Sequence, residues 1–146
     1  MANIDFYILE ETSRQKSLHF ACHLVEKAYQ NQQKIYIHTP SKDEAERLDL
    51  LLWTFRDDSF LPHNLYRPDD DYPPAIQIGF AGNFPSHQNT LLNLSQDVPD
   101  FYGQFNRVIE IVFSEPHVQQ LARERYRRYR DEGHELLTHK IKAGDV

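Results

Sequence analysis

Hydrophobic and polar positions along the 146-residue chain change period several times, and each change marks an element. Residues 4–9 (IDFYIL) are a short apolar run with β-branched and aromatic side chains, the pattern of a buried strand. Thr12, with Gln15 three residues on, reads as a capping box. Beyond it Leu18, Ala21, Cys22, Val25, Ala28 and Tyr29 lie on one helical stripe, and the polar residues Asn31, Gln32 and Gln33 end it. Residues 34–38 alternate, with Ile35 and Ile37 on one face, which predicts a second strand. Thr39-Pro40 breaks that strand, and Ser41 with Glu44 forms a second capping box. Ala45, Leu48 and Leu52 supply the buried stripe of a helix running to about Trp53. A β-α-β-α order is the signature of a layered α/β domain.

The next region is less regular. Phe55, Phe60, Leu61 and Pro62 lie among Asp57, Asp58, Ser59 and His63, and residues 66–74 (YRPDDDYPP) read as a proline- and aspartate-rich surface loop. Strand character returns at residues 75–79 and again at 90–94. Asp97-Val98-Pro99 starts a short helical turn through Tyr102. Residues 107–113 (RVIEIVF) make the strongest strand, apolar on both faces except for Glu110, which predicts an interior position. A helix follows over residues 115–133, with Gly133 as its stop. Residues 136–141 are either an edge strand or a packed tail. The expected fold is one three-layer domain over residues 1–146, with a central, mostly parallel sheet flanked by helices.

Composition limits what such a domain can do. The formal net charge of −6 argues against unspecific coating of nucleic acid, so any basic site must be local. A single cysteine, Cys22, allows no internal disulfide and fits a reducing compartment. The start of the chain lacks a basic stretch followed by a long apolar one, and no run approaches roughly 18 apolar residues. The expectation is a soluble cytoplasmic protein.

An α/β domain invites a nucleotide-binding reading, but no G-x-x-x-x-G-K-[ST] or G-x-G-x-x-G is present. Glu10-Glu11-Thr12 follows the first strand and would repel phosphate. Gly79 and Gly82 are three apart, as in many turns. His19 and His23 have the spacing of helical metal ligands without an HExxH context, so they read as an unligated pair on a helix flank. His134 and His139 would meet only through a particular fold of the tail. Cys22 lies on the apolar stripe and reads as a small core residue. Asp69, Asp70 and Asp71 form a solvated run. No catalytic constellation, cofactor site or metal site is expected.

The helix over 115–133 (EPHVQQLARERYRRYRDEG) has two unlike faces. Val118, Leu121, Ala122 and Tyr129 share one side. Arg123, Arg127 and Arg130 share another, with Tyr126 at the border. A solvated face with an intrahelical Glu124–Arg128 pair is the plain alternative to an anion-binding strip. Arg123 and Arg130 have no acidic residue three or four positions away, whereas Glu124 and Asp131 are both within reach of Arg127. Arg125 points toward the apolar stripe, where a guanidinium needs an anion, and Glu110 on the preceding strand is the candidate.

QLARERYRRYRDEG at residues 120–133, preceded by RVIEIVF, resembles the C-terminal hallmark of the chi subunit of bacterial DNA polymerase III holoenzyme. FYIL at 6–9, RLDLLLW at 47–53 and SFLPHNL at 59–65 match the same family in order and spacing. The resemblance implies a fold similar to nucleotide-binding domains without the phosphate loop, and a clamp-loader accessory protein without enzymatic activity. It implies two partners: the psi subunit, and the acidic C-terminal tail of single-stranded DNA-binding protein, which ends in a proline and a phenylalanine carboxylate. A helicase-like repair protein would compete for the psi surface. By resemblance the tail-binding positions are Val112, Arg123, Tyr126, Arg127 and Arg130, with the arginines on carboxylates and Val112 and Tyr126 lining a slot for the aromatic ring. Gln119 stands where some relatives carry a basic residue. The psi-facing positions are Trp53, Phe60 and Pro62, although Trp53 reads equally as an ordinary core residue. The competing function is direct binding of single-stranded nucleic acid by the arginine and tyrosine strip.

Overall fold

The computed structural model describes residues 3–58, 60–82, 84–85 and 89–142; Ser59 of the SFLPHNL stretch lies outside them. Among the described residues are seven strands and three α-helices, in the order β1 (Asn3–Leu9), α1 (Arg14–Gln30), β2 (Ile35–His38), α2 (Lys42–Thr54), β3 (His63–Leu65), β4 (Ile76–Gly79), β5 (Thr90–Asn93), β6 (Arg107–Val112), α3 (Pro116–Asp131) and β7 (Glu135–Ile141). A 3-10 turn, Tyr102–Gln104, precedes β6. The strands form one sheet in the order β3-β4-β2-β5-β6-β1-β7, and every pairing is parallel.

Each crossover in a parallel sheet lays a helix or loop on one face, so both faces become covered and interior strands lose their polar side. Here α1 and α2 cover one face. Ala21, Cys22, Val25, Leu48 and Leu52 pack there against Ile35, Ile37, Ile76, Ile78, Leu92 and Ile109. The other face carries α3 and the 3-10 turn, with Ala122, Tyr129 and Tyr102 against Ile4, Phe6, Tyr36, Leu91, Val108 and Val112. Tyr36, opposite Ile35 and Ile37 in the alternation, is thus buried as deeply as they are. β6 lies between β5 and β1, the interior position its composition predicts.

Local boundaries differ in instructive ways. Ser13, not Thr12, caps α1: its extended backbone aims Oγ at the Lys16 amide. Ser41 caps α2 as the pattern predicts, accepting from the Glu44 amide. The short helical turn starts where the Asp97–Pro99 stretch predicts, with the Pro99 carbonyl oxygen accepting from the Tyr102 amide at 3.1 Å, and its 3-10 segment runs over Tyr102–Gln104. β3 arises inside the region read as irregular. Three residues carry too little periodicity to be seen, and this strand is held by its neighbours. The His63 ring nitrogens sit 2.6 Å from the Leu61 carbonyl oxygen and 2.9 Å from the Asp49 carbonyl oxygen within α2. Residues 136–141 do form an edge strand, β7, drawn into register beside β1. No helix among the described residues is long and apolar enough to cross a membrane.

Candidate functional site

α3 is anchored from beneath before its outer face can act. Glu110 is fully buried on β6 and accepts three hydrogen bonds: from Arg125 Nε (3.0 Å), Asn93 Nδ2 (2.8 Å) and Tyr129 Oη (2.7 Å). Arg125 also donates from Nη1 to the Gln96 carbonyl oxygen at 2.9 Å. Burial pushes the Glu110 carboxyl above its ordinary value, and the Arg125 cation with the Asn93 and Tyr129 donors pulls against it. The same burial, reinforced by the Glu110 charge and hydrogen bond, pushes the Tyr129 hydroxyl far up. Arg125 is therefore the structural residue its angle on the helix predicts. Its pair with Glu110 sets how α3 lies on the sheet.

With Arg125 and Tyr129 turned inward, Arg123 and Arg127 project to solvent, and neither has an ion-pair or hydrogen-bond partner among the described residues. Tyr126 is half-buried and meets Phe6 edge-on, with ring centroids 5.3 Å apart. Arg130 is exposed but not free: its Nη2 lies 3.4 Å from Asp131 Oδ1, one residue along, a pairing that spacing at three and four does not show. Arg128 bonds Glu132 at 2.9 Å and lies 3.6 Å from Asp100, so it looks forward along the helix rather than back to Glu124. Val112 sits at the end of β6, beneath α3 and only 3% exposed. At that exposure its side chain belongs to the packing between β6 and α3 in this structure. The cationic, partly aromatic face is thus Arg123, Tyr126, Arg127 and Arg130, on the flank of α3 that overlooks β1 and β7.

A second surface lies at the other end of the sheet. Trp53 is 43% exposed and Phe60 74% exposed, with ring centroids 5.3 Å apart. Trp53 is therefore not the core residue that one reading allowed. It falls off the stripe of Ala45, Leu48 and Leu52 and rests on the buried His63 ring, 4.2 Å between centroids. Pro62 is half-buried beside them. Leu50, 64% exposed and three residues before Trp53, extends the patch. The apolar count of α2 hides Leu50; only its angle away from the stripe marks it.

The remaining candidates fall silent. Cys22 is buried among apolar side chains, which pushes its thiol up to about 12 and keeps it from reacting as a thiolate. No group of three metal-ligating side chains forms among the described residues, and His23 instead packs edge-on against Phe55. His134 lies against Tyr102 and His139 against Tyr7 and Asp5, so these two histidines are engaged separately. A crevice of about 750 Å³ opens at the C-terminal ends of the strands, where this kind of sheet places nucleotides. Leu18, Leu51, Ile111, Phe113, Val118 and Leu121 line it, together with the Arg14–Glu44 ion pair. No glycine is among its lining residues.

A family model described as DNA polymerase III chi subunit, HolC, matches residues 1–137. The chain is 36% identical over 142 residues to DNA polymerase III subunit chi of Pseudomonas aeruginosa, covering 97% of this chain and 98% of that one. It is 32% identical over 137 residues to the protein of that name from Haemophilus influenzae, covering 93% and 95%. To the one from Escherichia coli it is 29% identical over 143 residues, covering 94% and 97%. Among solved structures it is similar to the Mss116p DEAD-box helicase domain 2 bound to an RNA duplex, with a TM-score of 0.60 and 15% identity. That match covers 95% of this chain and 63% of the helicase chain, and at such identity it shows the fold alone.

Proposed function

Because the chain belongs to the DNA polymerase III chi-subunit family, whose members are replication accessory subunits, we propose that it is a non-catalytic adaptor of the clamp-loader complex, acting in the cytoplasm and bridging two proteins. One is single-stranded DNA-binding protein, bound by its acidic C-terminal tail. The other is the psi subunit.

The observation that carries the first contact is the pair of exposed guanidinia, Arg123 and Arg127, without partners among the described residues, beside the half-buried Tyr126 ring on an otherwise acidic molecule. A guanidinium fork suits a carboxylate, and a ring with one open edge suits a terminal phenylalanine. The second contact rests on Trp53, Phe60 and Pro62, now joined by Leu50. Large apolar side chains clustered in the open lose little on folding and gain on covering. A helicase-like repair protein would compete for this second patch.

Titration of a fluorescent acidic tail peptide ending in Pro-Phe tests the first contact. Binding is expected in the micromolar range and to weaken with salt, because added ions screen exposed charges and largely cancel attraction beyond roughly 8–10 Å near physiological ionic strength. Arg123→Ala should weaken it tenfold or more, and deletion of the terminal phenylalanine should remove most of it. Equal affinity of wild type and Arg123→Ala would sink the assignment. A single-stranded oligonucleotide bound more tightly than the peptide at physiological salt would favour direct nucleic-acid binding instead.

A further inference from the structure

The arginine flank of α3 overlooks a second wall, and its residues are set by strand register. β7 runs parallel to β1, with Phe6 opposite Thr138 and Ile8 opposite Lys140. Leu136 packs into the core on the α3 side of the sheet, together with Phe6 and Ile8. Alternation then places Thr138 and Lys140 on that same side. His139 confirms the phase, because it stacks on Tyr7 at 4.6 Å and reaches Asp5 from the opposite face.

α3 runs back over the strands. It begins at Pro116, just after β6 ends at Val112, and it finishes at Asp131, just before β7 begins at Glu135. Tyr126 leans on Phe6, which marks the level of Thr138. Arg123 lies about 4.5 Å further toward the strands' C-terminal ends, three residues at helical rise. Lys140 lies about 7 Å beyond Thr138 in the same direction. The two cations therefore stand toward the same end of the sheet on its α3 side, one on the helix and one on the edge strand, with the half-buried Ile8 beside Lys140. Lys140 is exposed and has no ion-pair partner among the described residues, as is also true of Arg123. Arg130, at the other end, is already tied to Asp131.

We propose that Lys140, with Thr138 beside it, forms the second wall of the peptide groove, where it takes the acidic side chains upstream of the bound carboxyl-terminal end, while Arg123 takes that end itself. This rests on the tail-binding reading given above. Two cations on separate elements make the groove selective for an extended acidic segment over an isolated carboxylate. Gln119, on the α3 flank between Val112 and Tyr126, then needs no charge of its own, because the positive charge at that end comes from Lys140 on the edge strand.

The test is fluorescence titration of the full chain with two peptides of equal length ending in Pro-Phe, one with upstream aspartates and one with asparagines in their place. Lys140→Glu should weaken the acidic peptide five- to twentyfold and leave the asparagine peptide within twofold. Arg123→Ala should weaken both peptides. Lys140→Arg should bind as wild type, which separates charge from folding, and thermal melts should be unchanged for a substitution on an exposed edge. Loss with Arg123→Ala but none with Lys140→Glu overturns the second wall and leaves the tail-binding reading standing. No loss with either variant overturns both. Equal loss of the two peptides in Lys140→Glu also overturns the proposal, because it would mean that Lys140 meets the terminal carboxylate.

Discussion

Replacement of Arg125 by methionine tests whether α3 is set by the buried ion pair. Met keeps most of the volume and removes the cation. Glu110 would then be a carboxylate with no solvent access, holding only the neutral donors of Asn93 at 2.8 Å and Tyr129 at 2.7 Å. Removing one partner of a buried pair costs about 3–5 kcal/mol, because the other charge stays uncompensated. Against a total stability of about 5–15 kcal/mol, the variant should fold but melt on the order of 10 °C lower. The cost should depend on pH. Burial already raises the Glu110 carboxyl above its ordinary value of 4.5, and loss of Arg125 removes the largest opposing pull. A group raised in the folded state contributes its stability in full below the unfolded value and loses it as pH rises through the folded value. The gap between variant and wild type should therefore be small near pH 4.5 and widest near pH 8. Urea unfolding at both pH values measures it. Methionine at both 110 and 125 should recover most of the loss, since an apolar pair of similar volume leaves no buried charge. A gap under about 1 kcal/mol at pH 8, or one that does not change with pH, would refute the reasoning.

Trp53→Ala and Phe60→Ala should each weaken binding of the psi subunit by about 2 kcal/mol, roughly thirtyfold, in a calorimetric titration. Phe60→Ala should leave the melting temperature unchanged, since its ring is mostly in water already. Gly79→Ala should destabilise the domain by about 1–3 kcal/mol, because the added Cβ would lie 2.0 Å from Tyr36 Oη. Pairing it with Tyr36→Phe should recover only part in urea unfolding, since the ring carbon Cζ still lies 2.7 Å away. Asp5→Asn should cost about 1.5–3 kcal/mol at neutral pH through weakened charge-assisted bonds. Burial penalises the Asp5 carboxylate, but the hydrogen bonds of His139 and Arg107 outweigh it and hold the carboxyl below its ordinary 3.8. Its contribution is thus present above 3.8 and lost as pH falls through the folded value, so the deficit of the variant should shrink in acid.

How much was legible in sequence varies along the chain. Residues 4–9 and 107–113 announced buried strands because an interior parallel strand is apolar on both faces whatever its neighbours are. The Ser41 cap was legible because it is satisfied within four residues, whereas at α1 two adjacent hydroxyl residues competed and backbone direction chose Ser13. β3 was not legible, since its three residues are strand only through β4 and the two carbonyl oxygens around His63. Of the candidate site, the arginine strip and the inward turn of Arg125 followed from helical angle alone.

The amino-acid sequence by itself determined the α/β class and the two-faced helix, because these depend on periodicity and on residue types within a few turns; the family was legible only through the resemblance of several stretches in order and spacing. Only the tertiary structure decided that Val112 is packed beneath α3, that Arg130 is already engaged, that Trp53 stands in the open beside Phe60, and that Lys140 lies on the α3 side of the sheet. The physical reason is that exposure and pairing belong to neighbours brought together across the sheet. Lys140 and Arg123 are 17 residues apart and on different elements, and no local spacing relates them until β7 docks in register beside β1.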